Sequence, residues 1–127
     1  MNFCISFINR HWLVSTLLIF FSIGLLSLIP LEELPPAPGS DKLHHLIAYA
    51  ALAFPVALRR PPYWWLMLLG FLLYSGLIEL IQPYVNRYGE WLDMLANSLG
   101  ILAGLALARL LSYCFPVSTE VSNQQVS

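Results

Sequence analysis

The chain is built from apolar runs long enough to cross a membrane, and polar residues interrupt these runs only near one set of their ends. Asp41 opens one run, Glu79 closes another and Asp93 opens the last. An ionisable side chain in hydrocarbon costs at least about 2.5 kcal/mol, so chains keep such residues there mainly where something depends on them. If the helices alternate in direction, all of these groups reach the same side of the bilayer, and we expect a site there.

The composition is that of an integral membrane protein. Of the 127 residues, 58% are hydrophobic and only 10% are charged, whereas a soluble domain carries about 25% charged residues. No basic cluster with interleaved aromatic residues occurs, so we expect no nucleic-acid partner. Cys4 and Cys114 stand at opposite ends of the sequence without metal-ligand spacing, which favours neither a zinc site nor a disulfide framework. No cofactor is predicted.

Four apolar runs predict transmembrane helices at residues 12–29, 41–58, 64–82 and 92–111. Each is close to the about 20 residues that span the hydrocarbon core, and lipid cannot satisfy the polar groups of any non-helical backbone. The second run is the least apolar, because it carries Lys42, two histidines and Pro55. The first is longer than the apolar part of a signal peptide and is expected to remain as a helix. We expect one domain at 1–115 and a polar, disordered tail at 116–127.

The positive charges predict an orientation. Lys42 and Arg87 fall at one set of helix ends, and the opposite set holds four arginines, Arg10, Arg59, Arg60 and Arg109. Since positively charged loops stay in the cytoplasm, both ends of the sequence are expected inside. The prediction is an all-α bundle of four transmembrane helices in the bacterial cell (inner) membrane, with its polar end facing the periplasm or the exterior.

The second predicted helix presents a polar stripe. Asp41, His45 and Tyr49 recur every four residues and therefore share one face. His45 lies about 6 Å and Tyr49 about 12 Å below Asp41 along the axis. Lys42 stands beside Asp41 at the same end.

The third and fourth predicted helices bring further polar residues to the same depth. Glu79 lies about one turn below the outer surface, and Gln82 follows it by three residues, again on one face. The fourth helix leaves that surface at Asp93 and carries Asn97 one turn deeper, and Arg87 lies on the loop above. These residues are predicted to converge in one pocket, in which His45, Glu79 and Asp93 are the candidates for acid–base chemistry.

Two glycines continue the stripe of the fourth helix downward. Gly100 and Gly104 form a G-x-x-x-G pattern, which predicts close packing against a neighbouring helix. Leu105 is expected to point elsewhere.

These residues, in this order, resemble the VanZ-like family of small bacterial membrane proteins. The resemblance covers about Ser40 to Leu107. It consists of D-K-x-x-H-x-x-A-Y from Asp41, then E-x-x-Q from Glu79, then Arg87, and finally D-x-x-x-N-x-x-G-x-x-x-G from Asp93. The family takes its name from a protein linked to teicoplanin resistance. The resemblance implies a role at the cell envelope and an effect on glycopeptide susceptibility, without an established reaction.

Several functions could explain this group of polar residues. The first is binding of an anionic membrane lipid or a lipid-linked cell-wall precursor, with Lys42, Arg87 and protonated His45 meeting phosphate. The second is a membrane enzyme that uses His45 with a carboxylate, although the sequence marks no nucleophile. The third is a proton- or ion-coupled transporter. A purely structural polar network is also open. A metal held by His45, Glu79 and Asp93 has too few preferred ligands in sequence to be predicted.

Overall fold

The computed structural model describes residues 2–29, 41–85 and 91–114, and this part of the chain is almost entirely helical. Its elements are five α-helices, α1 (Asn2–Arg10), α2 (Trp12–Leu28), α3 (Asp41–Arg59), α4 (Trp64–Ile81) and α5 (Trp91–Cys114), with a 3-10 turn at Gln82–Val85. No strand occurs within these ranges. The all-helical prediction is confirmed there, and helices α2 to α5 end within three residues of the four predicted runs. The predicted tail at 116–127 lies outside the described residues.

Helix α1 was not predicted, and it lies across one end of the bundle. Only His11 separates it from α2, and the two axes differ by 77°. Its buried Ile5 packs against Ala57 of α3 and Ala108 of α5, near the C-terminal ends of both helices. With nine residues, α1 is too short to have been recognised as a membrane span.

Helix α3 is the centre of the fold. It contacts α1, α2 and α4 and packs most extensively against α5, and Leu52, Ala53 and Val56 have no exposed surface. Although α3 is the least apolar of the four long helices, it is the most enclosed, because other helices rather than lipid surround it. Pro55 lies inside α3, which continues to Arg59.

Helices α3 and α5 approach each other closely along the glycine stripe. A Cβ atom at Gly104 would lie 2.5 Å from the carbonyl oxygen and 3.2 Å from the Cα of Ala50. A Cβ at Gly100 would lie 3.1 Å from the carbonyl carbon of Leu46. Neither position has room for a larger residue. The expectation for Leu105 was wrong: this side chain is half-buried and packs against the core, since the α3–α5 interface is wider than the glycine stripe alone.

Two contacts join α2 to α4. The Tyr74 hydroxyl donates a hydrogen bond of 2.8 Å to the Phe20 carbonyl, and the two rings stack with centroids 3.9 Å apart. Gly24 leaves space for that hydroxyl, because a Cβ there would collide with it. The buried Gln82 amide also donates to the Ser27 carbonyl at 3.1 Å. These contacts fix the end of α4 against α2.

The outer faces of the helices are apolar. Two helices in the described ranges are long and apolar enough to cross a membrane, α4 with its following turn (Trp64–Tyr84) and α5 (Trp91–Cys114). The bent pair α1 and α2 makes a third candidate if it is one span. On α4, Leu73, Leu77 and Leu80 are each more than half exposed, as expected for side chains that face lipid.

Candidate functional site

A polar cluster forms at the end of the bundle where α3 and α5 begin and α4 finishes. Lys42 and His45 come from the first two turns of α3, Glu79 from the last turn of α4, and Asp93 and Asn97 from the first two turns of α5. We call these five residues the polar cluster. Because the helices alternate in direction, residues far apart in sequence reach the same depth. Asp93 and Asn97 are 2% and 1% exposed, so this cluster is enclosed by protein.

An ion pair joins α3 to α5 at the mouth of the polar cluster. The Lys42 Nζ atom lies 2.6 Å from Asp93 Oδ1. The Asp93 side chain is 3% exposed, whereas that of Lys42 is 38% exposed. Lys42 therefore reaches from the surface to a carboxylate that is almost out of contact with solvent. Of the two charged groups, the Lys42 ammonium is the one that a molecule from outside would meet first.

A chain of hydrogen bonds orients the imidazole of His45. His45 Nδ1 lies 2.9 Å from Asn97 Oδ1, and Asn97 Nδ2 donates to the Ser75 hydroxyl at 2.7 Å. The Ser75 side chain also shares a hydrogen bond with the buried Tyr49 hydroxyl. With the amide oxygen of Asn97 on the His45 side, Nδ1 must carry the proton, because an amide oxygen only accepts hydrogen bonds.

The remaining nitrogen of His45 faces the two carboxylates. His45 Nε2 lies 3.7 Å from Asp93 Oδ2, which is longer than a hydrogen bond. One ligand-type atom from each of His45, Glu79 and Asp93 lies within 4.8 Å of the other two. The arrangement brings together one imidazole nitrogen and two carboxylate oxygens from three helices.

An open apolar groove adjoins the polar cluster between α4 and α5. Its volume is about 700 Å³. Among the described residues of its wall, Glu79 is the one that can ionise, and the others are Leu73, Gly76, Leu77, Leu80, Trp91 and Met94. Both helices that form this groove are long and apolar enough to cross a membrane. Glu79 thus belongs to the polar cluster and to the groove.

Comparison with known proteins identifies the family. The sequence profile of a family described as VanZ/LLP1 matches residues 4–112. The chain belongs to the VanZ/LLP1 family. The resemblance predicted from the polar motifs is therefore confirmed, and the match extends over the first helices as well. No curated protein and no solved structure gives a significant match. Family membership and the apolar helices together make the chain a membrane protein.

The structure brings together most, but not all, of the predicted site residues of this VanZ/LLP1 protein. Tyr49 is buried one turn below His45 and meets Ser75. Gln82 bonds to α2 through the Ser27 carbonyl. Arg87 and the side chain of Asp41 lie outside the described residues, so their predicted place in the pocket stays a prediction.

Ser75 is a residue of the site that sequence reasoning did not include. It has no exposed surface, and its hydroxyl accepts a hydrogen bond from Asn97. The available signal was its spacing, since Ser75 lies four residues before Glu79 on α4 and therefore on the same face. A single hydroxyl in an apolar helix is common, which is why that spacing alone carried little weight.

Proposed function

We propose that this VanZ/LLP1 protein binds an anionic membrane lipid or a lipid-linked cell-wall precursor at the outer end of its bundle. The observation that carries the proposal is the junction of an apolar groove with a charged cluster through Glu79. An amphiphile needs both parts: apolar surface for its chain, and polar groups at a fixed distance for its head group.

Lys42 is the residue of the polar cluster that would meet a phosphate head group. Lys42 is partly exposed at the mouth, and Asp93 fixes the position of its ammonium group. Arg87, which follows α4 in sequence, would add a guanidinium group able to make two parallel hydrogen bonds to phosphate. Handling of a lipid-linked precursor in this way would connect the protein to glycopeptide susceptibility, as the family resemblance implies.

The proposed topology has four spans, α2 to α5, with both ends of the sequence in the cytoplasm. Helix α2 has 17 residues and extends over about 26 Å, close to the thickness of the hydrocarbon core. Helix α3 needs little apolar surface, because its neighbours enclose it. Arg59 and Arg109 lie at the end opposite the polar cluster, where Arg109 stands 6.0 Å from the Trp64 ring. Positive charge at that end favours a cytoplasmic location.

Mass spectrometry of co-purified lipid tests the proposal. Wild-type protein extracted in mild detergent should retain a phosphate-bearing lipid, and the Lys42→Ala and Arg87→Ala variants should lose it. Gly76→Leu, which places a side chain in the groove, should also release the lipid while leaving the polar cluster unchanged. Arg60→Ala is the matched control, because it removes one exposed cation at the opposite end of the protein.

Two results would contradict lipid binding. One is an equal lipid content in all of these variants, which would mean that bulk lipid adheres to the apolar surface. The other is an effect of Arg60→Ala as large as that of Lys42→Ala, which would mean that head-group attraction is not specific to the polar cluster.

Acid–base catalysis is a second candidate, favoured by the hydrogen-bonded chain from Ser75 through Asn97 to His45. A histidine that is held in one tautomer beside a carboxylate is an arrangement suited to proton transfer. If the retained lipid is converted to a product by the wild type but not by His45→Gln, the protein is an enzyme. If the lipid is unchanged in both, binding alone is the function.

A further inference from the structure

We propose that His45, Glu79 and Asp93 form a binding site for a divalent first-row transition-metal ion. Each residue offers one ligand atom, and these atoms lie within 4.8 Å of one another. One imidazole nitrogen with two carboxylate oxygens is a ligand set that Zn²⁺, Mn²⁺ and Fe²⁺ accept. Three protein ligands leave further coordination positions for water or for a bound molecule.

The geometry of His45 is the strongest support. Its Nδ1 lies 2.9 Å from the Asn97 oxygen, so in the neutral imidazole, the form that binds metal ions, Nε2 carries the lone pair. That atom lies 3.7 Å from Asp93 Oδ2, which is also an acceptor. A cation between these two atoms would be held by both of them. Ligand atoms that are each about 2.0–2.2 Å from one metal ion stand about 3–4 Å apart, and 3.7 Å falls in that range.

The surroundings of His45 are those of a metal ligand. A metal-binding histidine almost always donates its other N–H to an oxygen, which fixes the ring and its tautomer. Asn97 supplies this oxygen, and Ser75 in turn holds the amide of Asn97. Both of these orienting residues are buried, with 1% and 0% exposure. The imidazole is therefore held in place before an ion arrives.

Lys42 competes with a metal ion for Asp93. Its ammonium group lies 2.6 Å from Asp93 Oδ1 and contributes one positive charge beside two carboxylates. A divalent ion contributes two, which match the charges of Glu79 and Asp93. When an ion binds, the long and partly exposed Lys42 side chain can turn outward. The metal site shares Asp93 and Glu79 with the proposed lipid site but needs no lipid.

The experiment measures metal binding by full-length, untagged protein in detergent. After treatment with EDTA, Zn²⁺ and Mn²⁺ are titrated by calorimetry, and the bound metal is counted by elemental mass spectrometry. We expect one ion per chain. Mg²⁺ and Ca²⁺ should bind at least about tenfold more weakly, because imidazole is a poor ligand for these oxygen-preferring cations.

Variants separate this site from adventitious binding. Asn97→Ala should weaken Zn²⁺ binding about 10–100-fold, as expected when the residue that orients a metal ligand is lost. His45→Gln should cause a larger loss. His44→Gln is the matched control and should bind as the wild type does, because the neighbouring histidine is not among the three ligands. Lys42→Gln should strengthen binding severalfold, since it removes the competing cation.

The proposal is overturned if the wild type binds no stoichiometric ion, if His45→Gln binds as well as the wild type, or if His44→Gln loses as much affinity as His45→Gln. If circular dichroism shows that His45→Gln does not fold, two other measurements test the metal site. These are the Lys42→Gln affinity, which must rise, and the visible absorption of Co²⁺-loaded wild type, which must show nitrogen and oxygen ligation. Metal binding without retained lipid would contradict the proposed function alone, and retained lipid without metal would contradict only the metal site.

Discussion

The two halves of the α3–α5 interface contain different kinds of residue: one is charged and hydrogen-bonded, and the other is formed by glycine and alanine. At the polar end, Lys42 and His45 meet Asp93 and Asn97 through charges and hydrogen bonds. Toward the other end, Gly100 and Gly104 let the two backbones touch at Leu46 and Ala50, and Ala57 and Ala108 continue the contact with no exposed surface. The same helix pair therefore changes from a charged site to dry packing within about one helical turn.

The difference predicts which half contributes most to stability. In a membrane, close packing of small residues is a main source of helix association. Buried ion pairs often stabilise a protein no better than well-packed apolar residues do, because both charges must be desolvated. We therefore expect the glycine half to hold the helices together, and the polar half to be retained for the binding proposed above.

The largest effect is expected in the glycine half. Gly104→Leu should lower the free energy of unfolding by about 3 kcal/mol or more, because even a Cβ would meet the Ala50 backbone at 2.5 Å. Denaturant titration in detergent measures this loss.

Leu102→Ala is a suitable control for Gly104→Leu, because Leu102 is 59% exposed on the outer face of α5. It should change stability by less than about 0.5 kcal/mol. Equal losses in both variants would mean that the glycine stripe is not what joins α3 to α5.

The next effect tests the ion pair. Lys42→Met should cost about 2 kcal/mol, because the buried Asp93 loses its cation. This is below the about 3–5 kcal/mol typical of a fully buried pair, since Lys42 is partly exposed.

The double replacement Lys42→Met with Asp93→Leu sharpens the comparison. It should recover stability to within about 1 kcal/mol of the wild type, because an apolar pair needs no desolvation, and it should abolish lipid retention. A double variant that remains as unstable as Lys42→Met would show that the polar end is a structural element after all.

The relative depth of the polar residues could be predicted from the sequence more readily than their partners. Asp93 and Lys42 could be assigned to the same level because a helix rises by a fixed 1.5 Å per residue. Their 2.6 Å contact could not be predicted, because it depends on how α3 and α5 are rotated about their axes. The same reason explains why the groove beside Glu79 was not predicted. Helix α1 was not predicted, because its nine residues are too few to be recognised as a membrane span.

A smaller effect is expected at Asn97. Replacement by alanine should cost about 1–1.5 kcal/mol, because both the His45 and the Ser75 hydrogen bonds are lost. Ser98→Ala is the neighbouring control, because the Ser98 hydroxyl donates to the Met94 carbonyl of its own helix at 2.8 Å. Loss of this bond within one helix should be nearly neutral. Thermal unfolding of the two variants side by side measures the difference. If they are equally stable, the hydrogen-bonded chain through Asn97 contributes nothing to the fold.

The smallest effect on stability, and the most direct test of which half faces outward, comes from labelling exposed cysteines. Cysteines introduced as Glu33→Cys or Glu90→Cys flank the polar end in sequence, whereas the native Cys114 ends α5 at the opposite end, where it is exposed. Because the arginines gather at the Cys114 end, that end should be cytoplasmic. An impermeant thiol reagent applied to intact cells should therefore modify the introduced cysteines and leave Cys114 unmodified until the membrane is opened. Labelling of Cys114 in intact cells would reverse the orientation, and the polar cluster would then meet cytoplasmic head groups instead of envelope precursors.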